Sequence, residues 1–194
     1  MVNKHKNVAM NDNTPTFTAD SVRTQFVILA VGWWIGYPLS IIGDCLPKPL
    51  SLLLSLVWIP ALIVATVFGC ILMYRQWSLL QGHGARVTPG KAVGFSFIPF
   101  FCFFWWFVAI AGLATDTNAY LKTLGIRSKH MSFGLAVTDC VLSVLSCTIG
   151  LLPPFGIMFS IPLMIIGFNL AVQQRDCVLA ILEDRSKTLQ PASV

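Results

Sequence analysis

Four stretches of this chain, residues 26–43, 50–73, 133–152 and 155–172, are predominantly apolar and hold no Lys or Arg. A bilayer core about 30 Å thick takes roughly 20 apolar residues per helix, so each is long enough to cross one. With 56% hydrophobic and 11% charged residues and a mean hydropathy of +0.75, the chain has too little polar surface to wrap a soluble core. It reads as an all-α integral membrane protein.

A fifth apolar stretch, residues 94–114 (GFSFIPFFCFFWWFVAIAGLA), is long enough to span, but Pro99 removes a backbone donor and clashes with the preceding turn. Charge decides how it is placed, because short cytoplasmic loops carry an excess of Lys and Arg. If 94–114 crosses, the 13 basic residues divide six against seven. If it enters and returns, they divide twelve against one, with only Lys48 on the far side. The preferred fold is therefore four transmembrane helices plus one re-entrant or interfacial helical hairpin, about 89–124, with both termini cytoplasmic. Five transmembrane helices, with the C-terminus outside, is the alternative.

The organisation follows from that choice. Residues 1–24 are polar, with Asn3, Asn7, Asn11 and Asn13 and no small-residue cleavage site after the first apolar run, and are expected to form a disordered cytoplasmic arm. Asp44 directly before Cys45 argues against lipidation there. Residues 25–174 form the membrane domain and 175–194 a cytoplasmic tail. Outer connections are short: 44–49 (DCLPKP) and Pro153-Pro154 are proline-stiffened turns. A soluble partner would be met on the inner side.

Within the hairpin, Thr88 stands at an N-cap position and Pro89 at the first helical one, where its missing donor costs nothing. Ala92, Gly94 and Ser96 are small enough for close packing on a neighbouring span. Pro99 breaks the helix about ten residues in, roughly 15 Å and half a bilayer deep. Backbone that turns at that depth needs shielding from lipid, and an aromatic cluster around the hinge (Pro99, Cys102, Trp105, Trp106) supplies it. Interfacial anchoring is the plainer role for such aromatics. Beyond the hairpin, Tyr120, Leu121 and Leu124 continue an amphipathic surface helix that stops at Gly125. Lys91, Lys122, Arg127 and Lys129 are inner-surface contacts facing the anionic leaflet, each worth about 1 kcal/mol.

Trp77, the TPGKAVGF run at 88–95, IPFF at 98–101, Trp105 and Asn118 together resemble the hallmark of an uncharacterised bacterial multi-span membrane family, sometimes fused behind a small GYF-like cytoplasmic domain. The resemblance covers about a quarter of the chain. It implies the bacterial cytoplasmic (inner) membrane, a membrane hairpin and no known activity. Where that family usually has an Asn-Phe-Tyr-Trp step, this chain has Cys102-Phe103-Phe104-Trp105.

The one ionisable residue well inside a span is Asp139, and intramembrane carboxylates are functional candidates by default. Reflection through the Pro153-Pro154 turn sets it level with position 168, so Asp139, Ser143 and Ser146 are expected to face Asn169 as a polar intramembrane site. Such a stripe could carry a proton or cation, or act as interhelical glue.

Other chemistry is thin. The six cysteines form no Cys-x-x-Cys pair, and His5, His83 and His130 lie apart from carboxylates and thiols at ligand spacing. No catalytic, cofactor-binding or metal-binding residue and no cofactor is expected, and the basic residues are read as lipid contacts, with no nucleic acid as partner. The expected function is a non-catalytic inner-membrane assembly or interaction module presenting a basic cytoplasmic face to the bilayer and to a membrane or cytoplasmic protein partner. A homo-oligomer is open to it, since four spans do not by themselves make a pore. The alternative is a small-solute or ion-coupled permease using the broken hairpin and Asp139.

Overall fold

A computed structural model describes residues 17–149 and 155–189, which are helical with no strand among them. Helix α1, Ala19–Asp44, starts where Thr18 Oγ1 accepts the Ser21 N–H at 3.3 Å, a side-chain N-cap. The expected disordered arm thus ends before residue 19, because this cap and the apolar Val22 and Phe26 draw the next turn into the core. The rest of the arm, residues 1–16, lies outside the described residues.

Helix α2, Lys48–Leu80, follows after a turn at 45–47, with a proline in its first turn. At 33 residues it is about 50 Å long, well beyond the ~30 Å that a bilayer core requires. Small residues set the α1–α2 seam. A Cβ on Gly32 would lie 2.7 Å from the Ala61 carbonyl oxygen, and one on Gly36 2.6 Å from Leu62 Cδ2. This is the Gly-x-x-x-Gly spacing by which membrane helices approach closely.

The segment after α2 is broken where the sequence expects it to be. Helix α3, Pro89–Gly94, begins at the proline, although Thr88 makes no side-chain cap bond. A 3-10 turn, Phe95–Phe97, leads to extended backbone at Ile98 (ψ 118°), as the residue before a proline prefers. The chain reverses at Phe100, whose φ of 62° and ψ of −40°, with the Phe101 N–H on the Pro99 carbonyl at 2.7 Å, make a strained γ-turn. Helix α4, Phe101–Trp106, then runs through a π-helical turn, Phe107–Ala111, into helix α5, Gly112–Thr123. Gly125 at φ 74° ends α5. Its N–H reaches Lys122 O and that of Ile126 reaches Leu121 O, a Schellman stop.

Helix α6, Phe133–Thr148, is capped by Ser132. Its 16 residues make about 24 Å, short of a full span, and the expected Pro153-Pro154 turn lies outside the described residues. Helix α7, Phe155–Leu189, runs straight through the boundary at which a tail was expected. Cys177, Val178 and Ile181 are fully buried, and this apolar stripe keeps the second half of α7 helical and packed. Among the described residues three helices, α1, α2 and Met158–Thr188 within α7, are long and apolar enough to cross a membrane.

The buried core is not midway along these helices. It gathers where the start of α1, the end of α2, α5 and the second half of α7 meet, around Val22, Leu80, Trp77, Leu113, Leu121 and Ile181. At the opposite end of α2, Leu52, Leu53 and Leu56 are 64–72% exposed, apolar surface suited to lipid. Tyr120 and Leu121, expected on a surface helix, are buried in this core, so the apolar face of α5 is covered by protein.

Candidate functional site

The hairpin closes on itself through aromatic side chains. Trp105 Nε1 donates to the Ala92 carbonyl at 3.1 Å, across thirteen residues. Phe95 packs against both Phe101 and Trp105, and Phe101 stacks on Trp105 at 5.5 Å. Of the residues expected at the hinge, Pro99 forms the reversal and Trp105 locks it. Trp106 and Cys102 are half-buried, and the Trp106 carbonyl accepts from Cys140 Sγ of α6 at 3.4 Å. Ala92 is fully buried, Ser96 is half-buried with its hydroxyl on the Ala92 carbonyl at 3.0 Å, and a Cβ on Gly94 would meet nothing within 4 Å, so Gly94 is not required for close packing.

The chain ahead of α3 meets the first turns of α5. Arg86 holds Asp116 through Nη2 at 2.6 Å and Nε at 3.0 Å, and its own backbone N–H reaches the same carboxylate. His83 stacks on Tyr120 at 4.3 Å. Burial, and secondarily the Arg185 charge, holds the His83 imidazole below its usual pKa. Positive φ at Gly82 and Gly84 lets the chain turn tightly enough for these contacts.

Beneath them lies a polar cluster that sequence reasoning did not anticipate. Gln76, fully buried, donates to Thr117 Oγ1 at 2.8 Å and to Met131 Sδ at 2.9 Å. Trp77, also fully buried, donates its indole N–H to the Ala109 carbonyl at 3.2 Å. A π-helical turn misaligns the regular i to i−4 ladder, and Trp77 supplies a donor to a carbonyl in that turn. Asn118 clamps Met131 from both sides, accepting its N–H at 2.8 Å and donating to its carbonyl at 2.7 Å. The one available signal was the clustering of Gln76, Trp77 and Asn118 at the ends of apolar runs.

Three of the four expected surface cations come together. Lys122, Arg127 and Lys129 line a hollow of about 470 Å³ with His130 and Asn118, and Lys91 lies outside it. Lys129 pairs with Asp176 at 3.0 Å, which Arg175 also holds at 2.6 Å. Among the described residues, Lys122 and Arg127 have no carboxylate within ion-pair distance.

Asp139 is buried, and its Oδ1 has no hydrogen-bond partner. It does not face Asn169, which is exposed and donates to Ile165 O on its own helix at 2.8 Å. The residue opposite is Gly167, where a Cβ would sit 3.0 Å from Asp139 Oδ1 and 2.9 Å from Trp33 Cζ2. A glycine opens the notch into which the carboxyl and indole fit. Trp33 spends its N–H on the Met164 carbonyl at 3.0 Å, leaving nothing for Asp139. Ser143 and Ser146 follow on α6, both half-buried.

No protein-family model matches the chain, and no curated protein and no solved structure matches it.

Proposed function

We propose that this chain is a non-catalytic assembly or interaction module of the bacterial inner membrane, with four spans, one re-entrant hairpin and both termini cytoplasmic. Its working surface is the basic end, held against the anionic inner leaflet and open to a protein partner. The observation that carries the reading is the Arg86–Asp116 pair. It ties the chain ahead of helix α3 to the turn just past segment 94–114, whereas a 94–114 that crossed would carry Asp116 about 30 Å from the side on which α3 begins. Lys122, Arg127 and Lys129 then share one side with Arg75, Arg86, Arg175 and Arg185, a distribution that favours the cytoplasm. The resemblance of residues 74–121 to a family sometimes fused to a binding domain points the same way.

A photo-crosslinking residue placed at Arg127 in cells tests it, with Leu52 as the lipid-facing control. The expected result is a discrete protein adduct from position 127 that Lys122→Glu removes, and none from position 52. Adducts from neither position, together with solute flux into proteoliposomes, would reject the module.

A second reading, a small permease or ion-coupled carrier, is favoured by the buried Asp139 oxygen without a donor, a costly arrangement unless the group is used. It predicts proton or cation flux in proteoliposomes that Asp139→Asn abolishes while the protein stays inserted. Equal flux in wild type, Asp139→Asn and empty vesicles removes it.

A further inference from the structure

A second concave surface lies away from both the basic hollow and Asp139. It is a groove of about 930 Å³ between α2 and the first arm of the hairpin, with Trp58, Leu62, Thr66 and Cys70 on one wall and Val93 and Phe97 on the other. From Trp58 to Arg75 it follows α2 for about 26 Å at 1.5 Å per residue, room for an extended fatty-acyl chain. Midway along its walls the one hydroxyl, Thr66 Oγ1, is spent on Leu62 O at 2.8 Å, which leaves the Cys70 thiol, a weak donor, as the other polar group there.

Its charge is confined to one end. Arg75 lies there, with its guanidinium carbon 4.8 Å from the Phe17 ring centroid and Nη1 donating to Ser21 Oγ at 2.6 Å. A guanidinium carries five N–H donors, so most of its capacity stays open. Arg23, Arg86, Lys129, Arg175 and Lys187 each have a carboxylate within 4.0 Å. Among the described residues Arg75 has none, although it closes a groove otherwise lined by apolar side chains. An arginine at the edge of a hydrocarbon region calls for an anion, and phosphate matches its planar fork.

We propose that this groove is a binding site for an anionic phospholipid, with one acyl chain along α2 from Arg75 toward Trp58 and the phosphate on the Arg75 guanidinium. The proposal requires bilayer insertion but not a particular orientation, and it is independent of the basic hollow.

The test is native mass spectrometry of the detergent-purified full chain with equimolar phosphatidylglycerol and phosphatidylcholine. Wild type is expected to retain one phosphatidylglycerol in preference to phosphatidylcholine. Arg75→Gln should lower that occupancy about fivefold, the effect of one cation near a membrane surface, and leave phosphatidylcholine unchanged. Thr66→Trp, which fills the groove, should exclude both, while Lys122→Gln with Arg127→Gln should retain the lipid. Protection of buried Cys177 from maleimide verifies that each variant is folded. Wild-type phosphatidylglycerol occupancy in folded Arg75→Gln overturns the proposal. So does equal retention of the two lipids by wild type, or loss of the lipid on neutralising Lys122 and Arg127, which would place the headgroup at the hollow.

Discussion

Removing one indole N–H should unlock the hairpin from α2. Trp77 is fully buried and donates to the Ala109 carbonyl at 3.2 Å in the π-helical turn. Trp77→Phe leaves that carbonyl without this donor, costing about 1–3 kcal/mol, and opens space where the larger ring was, for roughly another 1 kcal/mol. At about 2–4 °C per kcal/mol for a chain of this size, the midpoint should fall by roughly 4–16 °C. Cys177 is fully buried, so a variant keeping it as the sole cysteine reports unfolding in detergent through reaction with a fluorogenic maleimide. Trp34→Phe is the control, because Trp34 is 50% exposed and should shift the midpoint by no more than about 2 °C. Equal shifts for Trp77→Phe and Trp34→Phe would refute the anchoring role of the indole.

Three further outcomes are expected in the same assay. Gly32→Val should destabilise by about 1–3 kcal/mol through overpacking, since its Cβ meets backbone at 2.7 Å, whereas at Gly69 the nearest atom is Leu29 Cδ1 at 3.8 Å and Gly69→Val should cost less. Phe100→Gly should raise the midpoint, because it releases about 1–3 kcal/mol of left-handed strain against about 1 kcal/mol of glycine entropy, while Phe104→Gly inside α4 should lower it. His83 has a depressed pKa, so the unfolded chain takes up its proton first. The stability from neutral His83 is therefore present above the ordinary value of about 6.5 and lost as pH falls from there through the lower folded pKa. His83→Gln should flatten the midpoint-versus-pH curve in that window, and an unchanged slope would refute the assignment.

Much of the hairpin was legible because single residues dictate it. Pro89 starts it, Pro99 forces Ile98 out of the helix, and Gly125 ends it, each through backbone sterics that need no neighbours. The polar cluster under it was not, because Gln76, Thr117 and Met131 meet only after the chain has folded back. Trp77, Trp105 and Asn118 each donate one of the bonds fastening the hairpin. The pairing of Asp139 came within one residue in depth, since reflection gives 168 and the structure places Gly167 opposite. Rotation was the error: at about 100° per residue, Asn169 stands some 200° round from Gly167 and points outward. That the second half of α7 is a packed helix was not legible, because Cys177, Val178 and Ile181 sit among charged residues, and the core that buries them comes from α2 and α5.

Whether segment 94–114 returns to the side it left can be read by thiol labelling of intact cells. Single cysteines replace Lys48, Lys129 and Lys187 in turn in a cysteine-free background, and a membrane-impermeant maleimide is added. The account predicts labelling at position 48 alone, with 129 and 187 reacting only after lysis. Labelling at 129 and 187 alongside 48 in intact cells would mean that 94–114 crosses the membrane, and would contradict it.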